Sequence, residues 1–252
     1  MPDGARALEL DVGNTRIKWR WLDAANQRLS AGAAARSDGV PTWIPGADDV
    51  DAVSVRVVSV AGDTFDAELA SALTDAGFAA PRFARSTASR AGLRSGYEEP
   101  ERLGADRWVA MLAAVDAAAG PCAVLDAGSA ITFDQIDAAG RHEGGWIVPG
   151  LGLMRRSLLR ETAGIRFRDD QVDCGEAPGA TTAQAVHAGT LHMARDFTRN
   201  RWAAFRDRFP GAVLFVTGGD GEALASDLAG VLEGDVRLTP ELVLDGLRVC
   251  VD

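Results

Sequence analysis

The chain has 252 residues, 47% of them hydrophobic and 25% charged, with a formal net charge of -10 at neutral pH. That length fits one large domain or two of about 100 to 150 residues, and two is the expectation. The composition supplies enough apolar material for real cores and excludes a disordered chain, while the acidic balance opposes binding to nucleic-acid backbones or anionic membrane surfaces.

Only Met1 to Arg6 precede the first strand-like run, too short a leader for a signal peptide, and no apolar stretch approaches the ~20 residues that span a bilayer. Ala7 to Val12 is mainly apolar and meets Gly13-Asn14-Thr15. Beyond that turn Ile17, Trp19 and Trp21 alternate with Arg16, Lys18 and Arg20, which predicts a second, half-buried strand. Val53, Val55 and Val57 alternate in the same way, and Phe65, Leu69 and Leu73 then recur at helical spacing up to a stop at Gly77. Strand followed by helix points to an α/β fold. Gly92 to Gly104 has no period and contains Pro100, so it is expected to be an exposed loop. A helix carrying Trp108, Met111, Leu112 and Val115 follows to about Ala119, with Trp19, Trp21 and Trp108 expected in cores.

Ala123 to Asp126 then enters a second turn, Ala127-Gly128-Ser129, and Ile131 to Ile136 leaves it. Asp11-Val12-Gly13-Asn14-Thr15 and Asp126-Ala127-Gly128-Ser129-Ala130 both place an aspartate at the end of an apolar strand, two residues before a glycine. The match suggests two related halves, 1–119 and 120–252, meeting near Gly120-Pro121. Asp137 to Gly140 is predicted to be a hairpin turn, Gly144 to Gly150 a glycine-rich crossing and Leu151 to Thr162 a helix. A long amphipathic helix is predicted from about Thr181 towards Phe209, its arginines from Arg195 to Arg208 forming a solvated face. The last predicted unit is strand Val213 to Thr217, the turn Gly218-Gly219-Asp220-Gly221 and a helix carrying Leu224 and Leu228.

A loop that handles phosphate needs close backbone approach, inward donors, a nearby cation and a carboxylate for magnesium. Asp11, Gly13, Asn14, Thr15 and Lys18 supply those parts, although a plain β-hairpin with a surface lysine fits the same segment. The spacing is neither that of a P-loop nor that of a dinucleotide fingerprint. Gly218-Gly219 fits either a backbone platform for a nucleoside or a tight strand-to-helix connection. Cys122, Cys174 and Cys250 are odd in number, far apart and in no metal-ligand spacing, which points away from a disulfide framework or zinc and towards the reducing cytoplasm. His142, His187 and His192 have no partners at metal spacing and are expected to be packed or solvated.

Six blocks, in order between residues 8 and about 247, resemble the motifs of type III pantothenate kinases of the actin-like ATPase superfamily. Asp11-Val12-Gly13-Asn14-Thr15-Arg16-Ile17-Lys18-Trp19 resembles the first phosphate motif. Gly96-Tyr97 through Pro100 to Gly104-Ala105-Asp106-Arg107-Trp108 resembles the pantothenate motif, and Asp126-Ala127-Gly128-Ser129-Ala130-Ile131-Thr132 the second phosphate motif. Gly144 to Gly150 resembles the glycine-rich segment that follows, Thr182 with Ala185 the start of the long helix, and Thr217-Gly218-Gly219-Asp220 the nucleoside-side turn.

The resemblance implies two ribonuclease-H-like α/β domains with the active site in a cleft between them. It implies an ATP-dependent kinase that phosphorylates pantothenate, the first step of coenzyme A synthesis, as a cytoplasmic homodimer. Asp106 is the implied catalytic base and Arg107 the implied partner of the pantothenate carboxylate. Tyr97, Gly104, Ala105 and Thr182 would complete the pocket, Thr182 from across a dimer interface. The phosphate and nucleotide contacts would come from Asp11 to Lys18, Ser129, Gly218 and Gly219. Asp126 would hold a monovalent cation, potassium or ammonium, and Asp11 would help place magnesium. One departure is Ser129, where the family usually has threonine; the hydroxyl is retained and a methyl lost, so altered nucleotide affinity is expected. Two other readings stay open: a regulatory accessory protein retaining the fold, which the same family contains, and a kinase for another small hydroxy acid. A structural Asp106–Arg107 ion pair is the plain alternative to catalysis at that position.

Overall fold

A computed structural model of the chain describes residues 1–39, 53–167, 177–229 and 235–251. In chain order its strands and helices begin with β1 (Ala7–Val12), β2 (Arg16–Leu22), β3 (Arg28–Ala35), β4 (Ser54–Ser59), α1 (Asp63–Asp75), β5 (Arg82–Phe83), β6 (Ser89–Arg90), β7 (Leu93–Arg94) and α2 (Ala105–Ala117). They continue with β8 (Cys122–Ala127), β9 (Ala130–Ile136), β10 (His142–Pro149), α3 (Leu151–Glu161), α4 (Thr182–Arg208), β11 (Val213–Thr217), α5 (Gly221–Ala229), β12 (Asp235–Leu238) and α6 (Leu242–Val251). Two compact units result: Met1–Ala117 with Glu241–Asp252, and Ala118–Pro240. The division at 119/120 drawn from the sequence therefore differs at the C-terminus, where α6 joins the first unit. Gly246 allows this, since a Cβ there would lie 2.9 Å from a Val109 methyl and closer still to the Val109 carbonyl, so only glycine lets α6 pack this closely on α2.

The first unit has a five-stranded sheet of order β3-β2-β1-β4-β5 and the second one of order β10-β9-β8-β11-β12. In each, an antiparallel three-strand meander is followed by two strands added in parallel to its first member. The repeated aspartate-turn pattern is thus repeated in topology, with Asp11 and Asp126 each the penultimate residue of the first strand.

Leu8, Leu10 and Val12 of β1 and Ile17 and Trp21 of β2 bury against Leu69 and Leu73 of α1, which explains the apolar alternation. The alternation fails at Arg20, expected on the polar face but only 8% exposed. Its Nε donates to Glu9 at 2.7 Å and its Nη1 to Glu241 at 2.9 Å and Asp245 at 2.6 Å. Burial works against the charge on Arg20, but Glu9, Asp245 and Glu241 outweigh it and hold the guanidinium protonated. The returning C-terminal segment therefore converts an outward position into a buried ion cluster, which also includes Arg56 on Glu9.

In the second unit Val186, Thr190, Ala194, Thr198, Trp202 and Phe205 form the buried stripe of α4. It starts where the sequence suggests, and its start is capped: the Thr181 side chain accepts from Gln184 N at 3.2 Å, and Ala180 N donates to Gln184 Oε1 at 3.1 Å. The arginine face is less solvated than expected. Arg195, Arg199, Arg201 and Arg206 are half-buried, and Arg201 lies 5.1 Å from the Trp146 ring centroid. The predicted crossing at Gly144 to Gly150 is instead strand β10, paired with β9 along its length, because two glycines do not prevent pairing at a sheet edge. Cys122 and Cys250 are free and buried, and burial pushes the Cys122 thiol up to about 12, so it behaves as an inert core residue. Cys174 and the Leu228 side chain lie outside the described residues.

Candidate active site

In the first unit the turn between β1 and β2 is closed by Gly13 N donating to Arg16 O at 3.0 Å. Asn14, Thr15 and Arg16 are exposed, Asp11 and Lys18 are half-buried cross-strand partners, and Val12 and Ile17 anchor the turn in the core. A carboxylate, a lysine and an exposed turn therefore sit at one end of one hairpin. Arg36, which the sequence reading did not single out, sits at this turn. Its Nε donates to Asn14 O at 2.7 Å, and its backbone N–H donates to Thr15 O at 2.9 Å. No periodicity marks β3, so nothing local signalled it.

The predicted loop Gly92 to Gly104 instead contains β7, which pairs with β6 just before the loop, and a 3-10 turn at Pro100–Arg102. Trp108 N donates to Gly104 O at 3.0 Å, which starts α2, and Asp106 lies in its first turn, where the helix dipole favours negative charge. Asp106 Oδ1 accepts from Arg107 N at 2.8 Å. A Cβ on Gly104 would approach that same oxygen to 2.7 Å, so glycine keeps the carboxylate's place open. Arg107 is 7% exposed. Its Nη1 donates to Tyr97 Oη at 2.8 Å, and the guanidinium carbon lies 5.6 Å from the Tyr97 ring centroid. Tyr97 and Arg107, ten residues apart on a loop and a helix, are thereby one preorganised unit beside Asp106.

In the second unit three turns converge. Gly128 N donates to Ala130 O at 2.9 Å, Gly150 N to Ser129 O at 3.1 Å, and Asp220 N to Ala127 O at 2.9 Å. A Cβ on Gly150 would lie 2.7 Å from Ser129 O. Gly218 has φ 91°, and a Cβ there would lie 2.5 Å from Asp126 Oδ1 and closer to the Ala127 backbone. The glycines are thus what allow Asp126, the Gly128-Ser129 turn and the Gly218-Gly219 turn to lie against one another. Ser129 is exposed at the tip of its turn.

Burial pushes the Asp220 carboxyl up from its ordinary value, and the charge of Arg155 on α3 opposes this. Arg155 Nη1 also donates to His187 Nδ1 at 3.2 Å. Neither Arg155 nor this cluster was legible in the sequence, because its members come from three separate elements. Thr182 is exposed in the first turn of α4. His142 is fully buried with Nε2 2.9 Å from Asp134 Oδ1, His187 is buried and His192 half-buried, in keeping with packed roles. Among the described residues no group of three or more His, Cys, Asp or Glu side chains is placed to hold a metal ion by itself.

The sequence model of the type III pantothenate kinase family matches residues 7–204. Type III pantothenate kinases of Pseudomonas aeruginosa strain LESB58 and Azotobacter vinelandii are each 37% identical to this chain, over 246 and 254 residues, covering 96% of it and 97% of each relative. Among solved structures, a Campylobacter jejuni protein described as a "conserved putative Baf family transcriptional activator" aligns with TM-score 0.57 at 20% identity, over 96% of this chain and 95% of that one. A Sinorhizobium meliloti protein described as a "putative 2-dehydro-3-deoxygalactonokinase" aligns with TM-score 0.59 at 15% identity, over 97% and 95%. At those identities the two structures speak to the fold alone, an α/β architecture with two sheets of five strands.

Proposed function

The chain belongs to the type III pantothenate kinase family, and from that premise we propose how its residues share the work of the reaction. The reaction is ATP-dependent phosphorylation of pantothenate to 4'-phosphopantothenate, the first step of coenzyme A synthesis. Asp106 takes the proton from the pantothenate hydroxyl as that oxygen attacks the γ-phosphate of ATP. Arg107 binds the pantothenate carboxylate through its guanidinium fork, and Tyr97 holds that guanidinium in place. The observation that carries this assignment is the buried Arg107 tied to Tyr97 at 2.8 Å, one residue from a carboxylate at a helix N-terminus. Gly104 and Ala105 leave room at that turn.

Phosphoryl transfer is mostly positioning and charge neutralisation. Asp11 to Lys18 approach the ATP phosphates, the Ser129 hydroxyl donates to them, and Gly218-Gly219 face the nucleoside. A magnesium ion that arrives with ATP needs only one or two carboxylates beside phosphate oxygens and water, a donor set that Asp11 suits. Bound magnesium supplies neutralisation of charge on the phosphoryl oxygens. Asp126 would hold a potassium or ammonium ion, and support for this lies in its carboxylate oxygen at the meeting of the Gly128 and Gly218 turns. The enzyme acts as a cytoplasmic homodimer in which Thr182 completes the partner's pantothenate pocket. Support is the exposure of Thr182 at the start of α4 and, for location, the acidic composition and buried free thiols. Among the described residues no helix is long and apolar enough to cross a membrane. Sedimentation of a fully active monomer would exclude the dimer.

The test is direct: protein, ATP, magnesium, potassium and pantothenate are incubated, and mass spectrometry follows the phosphorylated product. Product formation is expected. A folded protein without turnover would favour the regulatory reading, and turnover of a different hydroxy acid alone would reassign the substrate.

A further inference from the structure

A tight, exposed turn is a poor instrument for phosphoryl transfer unless something fixes its backbone, since a displacement of about 1 Å in a positioning group can cost about a hundredfold in rate. The Gly13-Asn14-Thr15 turn has such a fixture. Arg36 follows the last residue of β3, and its backbone N–H extends the β2–β3 ladder by donating to Thr15 O at 2.9 Å. Its Nε donates to Asn14 O at 2.7 Å, a charge-assisted bond. Its guanidinium carbon lies 5.8 Å from the centroid of Phe65, in the first turn of α1, and Phe65 packs against the core of the unit. One side chain therefore joins the turn to the core helix.

The planarity of the peptide bond gives this clamp a chemical consequence. In a trans peptide the C=O and the following N–H point in opposite directions. With the Asn14 carbonyl drawn to Arg36, the Thr15 N–H points away from it. With the Thr15 carbonyl drawn to the Arg36 amide, the Arg16 N–H does the same. The clamp also keeps two partially negative carbonyl oxygens on the Arg36 side of the turn, so they cannot face an incoming phosphate.

We propose that Arg36 is a positioning residue for phosphoryl transfer, which fixes the Asn14 and Thr15 peptides so that their amide donors, and not their carbonyls, meet the phosphates of ATP. The proposal rests on the reading of Asp11 to Lys18 as the ATP phosphate loop. Arg36 touches no reacting atom in this role; it acts through the turn.

Three variants test it. Arg36→Met keeps the apolar stem over Phe65 and the backbone bond to Thr15 but removes the guanidinium donor. It is expected to raise KM for ATP about tenfold and lower kcat about tenfold, with KM for pantothenate unchanged within about twofold. Arg36→Lys retains charge without the planar fork and is expected to fall between the two. ADP affinity measured by calorimetry without pantothenate should fall in parallel, which separates nucleotide positioning from any fault in the pantothenate pocket. An equal rise in both KM values with a lowered Tm would reduce Arg36 to a structural tie and overturn the proposal, as would unchanged kinetics. Lys18→Met is the third variant. If it impairs ATP use while Arg36→Met does not, the present inference fails alone. If neither matters, the phosphate-loop reading fails with it.

Discussion

Replacing Tyr97 by Phe removes one oxygen atom and isolates what that hydroxyl does for Arg107. Arg107 is 7% exposed, and its Nη1 donates to Tyr97 Oη at 2.8 Å before any substrate arrives. A hydrogen bond to a charged group is worth about 1.5–3 kcal/mol. Water reaches the half-buried Tyr97 side, so about 1–2 kcal/mol of unfolding free energy should be lost. That loss falls on the free protein and does not by itself weaken binding. What reaches the substrate is lost preorganisation: an arginine held by one bond fewer must be ordered further on binding, at about 0.5–1.5 kcal/mol. This corresponds to a KM for pantothenate raised roughly 2- to 13-fold. The ring remains under the guanidinium, and Asp106 is untouched, so kcat should stay within about twofold. Initial rates with pantothenate varied at saturating ATP, read beside urea unfolding, give both numbers. A lowered stability with unchanged KM for pantothenate would show that the bond is architectural only. A change in KM for ATP alone would refute the placing of Arg107 on the pantothenate carboxylate.

Asp106→Asn keeps the size and removes the basicity, so kcat should drop by about 10² to 10⁴ with pantothenate binding largely retained; near-normal kcat with weaker binding or lower Tm would make Asp106 a structural partner of Arg107. Replacing potassium by a bulky organic cation should lower activity strongly, and Asp126→Ala should do so even in potassium; equal rates in both salts would remove the cation from Asp126. Burial alone would raise the Glu241 carboxyl, but Arg20 and Arg28 outweigh it and hold it below its ordinary value. Its contribution to stability is therefore complete above about pH 4.5, the ordinary carboxylate value, and is lost as the pH falls through the lower folded value. Glu241→Gln should cost roughly 1 kcal/mol near neutral pH, with the native and variant unfolding curves converging at low pH; a gap independent of pH would remove the charge from the explanation.

Where a segment's pattern is local, its structure was legible before folding. β1, β9 and β11 follow from apolar runs ended by Gly or polar turns, and α4 from an amphipathic run starting near Thr181. β3 was missed because Arg28–Ala35 has small residues and no apolar alternation; it lies at a sheet edge, where burial does not demand one. β12, four mostly exposed residues at the other sheet's edge, and α6 were not predicted. Of the candidate site, the motif residues were legible because their types and order carry the chemistry. The Tyr97–Arg107 bond, the Arg36 clamp and the Arg155 cluster were not, since each joins elements whose separation no local pattern records.

The sequence by itself determined the α/β class, the repeated aspartate-turn unit, the ends of the long helix and the family, because periodicity, turn chemistry and motif order are properties of neighbouring residues. Tertiary structure alone decided which polar groups are buried and with whom. Arg20 shows the reason: its acidic partners on the C-terminal segment lie 221 and 225 residues away along the chain. An arginine in an alternating strand is a surface residue until a distant helix covers it. Only the closed fold brings carboxylates close enough to offset the cost of removing its charge from water.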